Sequence, residues 1–249
     1  MEKCSVHKFR GTLNTAEPRY YGAVMLDLRN LSSSNTMYIV INPTSTITVI
    51  DSLGNTTQIS SSGQYNFPGG RRYDFKNAES IKTFDCHNSM ASYRDDIIMD
   101  AAQMSNATTI TIGGKIEYVP INSVAQTIYI YPNLNELDTV TKSKIRDWVM
   151  GCPVTSIASS GEIFTMYDFG KFNLTYISAA SHQNERVEDF VAMRRKMGAT
   201  TGSLTWDYIP QGCTFNGSVI QNRTTNGLSW TATTITFGGV TIDNSEIAP

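Results

Sequence analysis

Apolar residues in this chain fall mostly into short runs that alternate with polar ones, the period of a half-buried β-strand. Tyr20–Leu28, Thr36–Ile41 and Ser45–Ile50 read as the first three strands, the last two joined at Asn42-Pro43. Asp51-Ser-Leu-Gly-Asn is a turn in which Gly54 offers a positive φ. Return strands at Gln58–Ser60 and Tyr65–Phe67 precede the break at Pro68-Gly69-Gly70. Residues 1–75 therefore predict a small antiparallel β module. Its first 19 residues, with mixed charge and Pro18, form an arm or an edge strand.

The texture changes from about residue 78. Ser80–Cys86 is a strand with Ile81, Phe84 and Cys86 as its apolar members. Ser92 and Asp95 make a capping-box variant, and Tyr93, Ile97, Ile98, Ala101 and Ala102 share a helical face, which predicts a helix through Met104. Thr108–Ile112 and Thr127–Tyr131 are further strands. Thr139 or Thr141 caps a second helix, with Ile145, Trp148 and Val149 inward and Gly151 at its end. Val154–Ile157 and Asn173–Ile177 follow as strands. Asn184 then caps a third helix whose buried face is Val187, Phe190, Val191 and Met197, stopped by Gly198. Thr200–Ile209 is the next strand. Ile81, Ile110, Ile128, Val154, Leu174 and Leu204 recur at intervals close to those of a leucine-rich repeat, in which neighbouring turns stack to bury a shared core. Cys213–Ile220 forms a hairpin at Asn216-Gly217, Leu228–Phe237 alternates as one strand, and Gly238-Gly239 turns it into Val240–Ile242. The expected fold is α+β: an N-terminal antiparallel β module over 1–75, then a degenerate leucine-rich-repeat-like solenoid over 76–249 with a C-terminal β-hairpin cap.

At 249 residues and 40% apolar content the chain supports one elongated domain or two small ones. A net charge of −2 with 17% charged residues argues against a nucleic-acid or membrane-surface binder. The basic run RRYDFK near residue 71 reads as a solvated loop. Cys4, Cys86, Cys152 and Cys213 are widely scattered, neither a zinc signature nor a disulfide framework, and read as buried free thiols. The opening MEKCSVHKFRG has no apolar core of a secretory signal, so, taken as the true start, it predicts synthesis and folding in a cytosol.

Catalytic signatures are missing: no G-x-S-x-G, no H-E-x-x-H and no P-loop occur. The glycine pairs at 69–70, 113–114 and 238–239 read as turns. The histidines are His7, His87 and His182. His87 follows Cys86, but neighbours on a strand point to opposite faces, so it reads as a loop histidine and not as half of a Cys/His pair. Asp95 and Asp96 read as first-turn helix charge, and Asp85, Asp95, Asp96 and Asp100 lack the spacing of a calcium loop. No cofactor or metal is expected. Tyr129 and Tyr131 share a strand face that Tyr118 could join; the three are either core packing or an exposed stripe for contacts with a sugar or a protein.

The run VEDFVAMRRKMGATTGSL, followed by TFNGSVI and GLSWTATTITFGGVTI, resembles the C-terminal part of leucine-rich-repeat-like proteins of Bacteroides and their phages, in particular virion structural proteins of crAss-like phages. The resemblance covers roughly residues 150–242, and residues 1–75 resemble nothing identified. It implies a structural or adhesive protein and not an enzyme: a head fibre, capsid decoration or tail-associated part, assembled in the bacterial host cytoplasm. Its partners would be other virion proteins, further copies of itself, and a host-surface protein or glycan, with no nucleic acid and no membrane insertion. The other reading is a bacterial leucine-rich-repeat adhesin or glycan-binding surface module.

Overall fold

The computed structural model describes residues 23–133 and 135–159, positions 163, 164, 168 and 172, and the backbone of short strands between 176 and 243. The N-terminal arm and the third helix expected over 187–197 lie outside the described residues. The first strands are β1 (Ala23–Asp27), β2 (Thr36–Pro43), β3 (Ile47–Asp51), β4 (Thr56–Ile59), β5 (Gly63–Pro68) and β6 (Arg72–Lys76). After them come β7 (Ile81–Asp85), helix α1 (His87–Tyr93), β8 (Ile98–Asp100), β9 (Thr109–Tyr118) and β10 (Thr127–Pro132). Helix α2 (Thr139–Met150) leads to β11 (Ser156–Ser159), β12 (Tyr176–Ala179) and β13 (Thr205–Trp206).

All thirteen strands belong to one hydrogen-bonded sheet. It is mixed and curled into a half-barrel. One arm runs β4-β3-β6-β1-β8 and the other β5-β2-β7-β9-β10-β11-β12-β13. In the second arm β7 and β9 to β13 lie parallel in chain order, with Phe84, Ile110, Ile128, Ile157, Ile177 and Trp206 in one cross-strand row.

Strand β9 joins the arms. Its first half, Thr109–Gly114, pairs with β10, and its second half, from Lys115 on, pairs with β8. The bend falls at Gly113-Gly114, inside the strand. Gly114 has φ +67, and a side chain there would collide with the carbonyl of Ile97. A Cβ on Gly113 would sit 2.5 Å from Met90 Cγ and against the carbonyl of Tyr131. Glycine at both positions lets one strand turn a corner between two arms.

The corner brings both arms onto one core. Phe67 of β5 and Phe75 of β6 lie 5.3 Å apart, and Phe75 meets Phe84 of β7 edge-on at 5.5 Å. The buried cluster runs without a break from Val24 through Ile110 to Phe172. This overturns the expected fold of an N-terminal β module followed by a leucine-rich-repeat-like solenoid with a β cap: the described residues are mostly β, and β1 to β13 make one curled sheet. Pairing of β2 with β7 and of β1 with β8 crosses the boundary expected near residue 75. The parallel strands meet the antiparallel arm where Phe84 of β7 packs on Phe75, so the two arms share one core.

Other expectations are corrected locally. RRYDFK is no solvated loop but the central strand β6, between β1 and β3. Tyr73 and Phe75 face Phe67, while Arg72 on the other face bonds Asp74 at 2.8 Å, which lets two charges be buried together. The helix expected over 92–104 is instead the end of α1, a 3-10 turn at Arg94–Asp96 and strand β8. Ile97, Met99 and Ala101 are buried while Ile98 and Asp100 are half-exposed, the two-residue period of a strand. The parallel strands near Val154 and Leu174 centre on Ile157 and Ile177, three residues later. The cap of α2 is Asp138, whose carboxylate accepts from Thr141 N at 2.6 Å, and its inward residues are Ile145, Trp148 and Val149.

Beyond the large sheet, β14 (Cys213–Phe215) and β15 (Ser218–Ile220) pair antiparallel. Residues 228–237 are not one strand: β16 (Ser229–Trp230) folds back antiparallel on β17 (Thr234–Phe237), which pairs in turn with β18 (Val240–Asp243).

Candidate functional site

Strand β2 alternates strictly. Met37, Ile39 and Ile41 enter the core, so Thr36, Tyr38 and Val40 face the opposite way, and Tyr38 and Val40 are exposed. On the neighbouring β5, Gln64 lies opposite Val40. Helix α1 packs over this outward face against β2, β9 and β10. Two bonds pin it: the Tyr38 amide donates to Ser89 Oγ at 2.9 Å, and the Ser89 hydroxyl reaches the Tyr38 carbonyl at 3.3 Å. Met90, fully buried, fills the space that Gly113 leaves open. Between β2 and α1 runs an open groove of about 410 Å³, whose lining includes Tyr38, Val40, Gln64, Asn88, Ser92 and Tyr93.

A polar knot holds one end of the groove. The Asp85 carboxylate accepts from the His87 amide at 3.1 Å and lies 2.7 Å from His87 Nδ1. A carboxylate only accepts, so Nδ1 is the donor of this pair. Thr111 bridges the knot, receiving the Cys86 amide at 3.1 Å and reaching Asp85 at 3.3 Å. The imidazole stacks on Tyr129 of β10, with centroids 4.3 Å apart and planes 19° from parallel. Burial, and then the nearby Asp85 charge, holds the Tyr129 phenol above its ordinary value. Tyr131 is raised too, by burial first and then by Tyr129 and Asp85.

Nucleophilic chemistry finds no support in this arrangement. Cys86 is 2% exposed, and burial, reinforced by Asp85, pushes its thiol far up. The Ser89 hydroxyl is committed to the backbone of Tyr38. His87 is not a loop residue; it opens α1, oriented by Asp85. Cys86 and Cys152 are free and buried, and Cys4 and the Cys213 side chain lie outside the described residues. Among the described residues no group of three His, Cys, Asp or Glu could hold a metal ion, and no helix is long and apolar enough to cross a membrane. Asp95 and Asp96 are exposed in the first turn of the 3-10 segment. His7 and His182 lie outside the described residues.

Of the three tyrosines singled out from sequence, Tyr129 and Tyr131 share the half-exposed face of β10, Tyr129 beneath His87 and Tyr131 against the edge of the core. Tyr118 is exposed on the far side of the β9 corner, where it pairs across to Asp100, and does not join them. Tyr38 and the α1 side chains were missed. The alternation Thr-Met-Tyr-Ile-Val-Ile already puts Tyr38 on the outward face, but nothing local says that a helix 51 residues away will wall that face into a groove. No protein-family model, curated protein or solved structure matches the chain.

Proposed function

We propose that this protein is a virion structural component of a bacteriophage, a head fibre, capsid decoration or tail-associated part, that works through contacts and not through catalysis. The observation that carries the reading is the outward face of β2 and α1. It is a shaped, rigidly mounted surface with exposed Tyr38 and Val40, beside a buried thiol and a serine spent on backbone bonds. Rigid aromatic side chains on strands contribute contact area at low entropic cost. The sequence over roughly residues 150–242 adds the resemblance to virion proteins of crAss-like phages. The same groove also favours the second reading, a bacterial adhesin or glycan-binding surface module. Mass spectrometry of gradient-purified particles, with this chain quantified against the major capsid protein, separates the two. A stoichiometric signal is expected. Absence from particles, with the protein recovered on the cell envelope, refutes the virion reading.

A further inference from the structure

The groove between β2 and α1 has a chemical character of its own. Tyr38 is 49% exposed and Tyr93 half-buried, so two aromatic side chains line it, with Val40 beside them. Around them stand the amides of Gln64 and Asn88 and the hydroxyl of Ser92, all on exposed residues. Its ionisable acid and base, Asp85 and His87, are bonded to each other. No lysine or arginine is among the described residues that line it. A phosphate, sulfate or carboxylate would enter without a cation to meet it and beside the Asp85 carboxylate, so anionic ligands are disfavoured. The Ser92 hydroxyl donates to the Asn88 carbonyl at 3.3 Å, but a lipid chain would leave the amides of Gln64 and Asn88 covered without a partner.

We infer that this groove is a binding site for a neutral saccharide. A pyranose presents an apolar C–H face that packs on an aromatic ring and a rim of hydroxyls that amide side chains read in both donor and acceptor sense, with the Ser92 oxygen as a further acceptor. The volume of about 410 Å³ lies within the range of small-molecule sites. Mounting supports it too. The bonds from Ser89 to the Tyr38 backbone hold the two walls together, so little order has to be created on binding. The inference rests on reading this face as a contact surface, and not on where in a virion or cell the protein sits.

The test uses the full chain against a printed panel of neutral oligosaccharides containing hexose and N-acetylhexosamine units, with sialylated and sulfated members as anionic controls. Wild type is expected to bind neutral members. Tyr38→Ala should weaken that binding by about tenfold, equivalent to ~1.4 kcal/mol, because it removes a ring whose backbone bonds to Ser89 remain. Asn88→Ala, at an exposed position of α1, favours the helix and carries the test if Tyr38→Ala does not fold. Tyr118→Ala, equally aromatic and exposed but outside the groove, should bind as wild type does. The inference is overturned if no neutral member binds, if binding is confined to anionic members, if neither groove variant weakens it, or if Tyr118→Ala weakens it as much. Particle mass spectrometry reads none of these outcomes, so this idea and the virion reading fail separately.

Discussion

Replacing Gly114 by alanine tests whether the two arms of the sheet depend on the corner in β9. The backbone at Gly114 has φ +67, and holding a residue with a Cβ there costs about 1–2 kcal/mol. The added carbon would also strike the Ile97 carbonyl, with Ile97 C at 2.9 Å and Ile97 Cβ at 3.0 Å. That carbonyl accepts the Lys115 amide at 2.7 Å, the first bond between β8 and the second half of β9. Relief requires the start of β8 to move away. Such a shift weakens a bond worth about 1 kcal/mol and partly unseats a buried isoleucine, about 1 kcal/mol more. The expected loss is therefore about 3–4 kcal/mol, a large share of the ~5–15 kcal/mol that holds a domain folded. Gly54→Ala is the internal control. Gly54 has φ +84 but nothing within 4 Å of its would-be Cβ, so only the backbone part applies, about 1–2 kcal/mol. Urea unfolding of both variants, followed by far-ultraviolet circular dichroism and tryptophan fluorescence, gives the comparison. Equal losses in the two variants, or a Gly114→Ala protein within about 0.5 kcal/mol of wild type, would refute the corner as described.

Two further predictions follow from the charged and phenolic groups. Arg146 forks onto Asp168 at 2.6 and 3.0 Å, and Asp168 has no exposed surface. Arg146→Ala removes the forked guanidinium from that buried carboxylate and should lower the melting temperature clearly, whereas Lys115→Ala, which breaks an ion pair exposed on both sides, should barely move it. Similar melting temperatures for the two variants would contradict the buried pair. Tyr73, Tyr129 and Tyr131 each have a phenol held above the ordinary value of 10.0, mainly by burial. A raised value means that their contribution is whole below about pH 10 and is lost as pH climbs through the folded-state values. The urea midpoint should accordingly fall on the alkaline side, and Tyr129→Phe should flatten the fall; a slope unchanged by that substitution would count against the burial argument.

Much of the secondary structure was legible from local pattern. The alternation in β2, β7 and β10, the turn at Gly54 and the inward face of α2 each follow from the spacing of apolar residues within a few positions, because side-chain direction is fixed by the backbone period. The tyrosines of β10 were legible as neighbours for the same reason. What defeated local reading was partnership. Arg72 and Asp74 look solvated until a strand on each side of β6 buries them as a pair, and Gly113-Gly114 looks like a turn until β9 is seen to hydrogen-bond to different partners before and after it. The same holds for the segment after Ser92, where helical and strand periods compete and the pairing of β8 with β1 and β9 decides. The groove is the extreme case: Tyr38 and Ser89 become neighbours only through the tertiary fold, since the sequence sets which face each side chain occupies while contacts between distant elements set what that face meets.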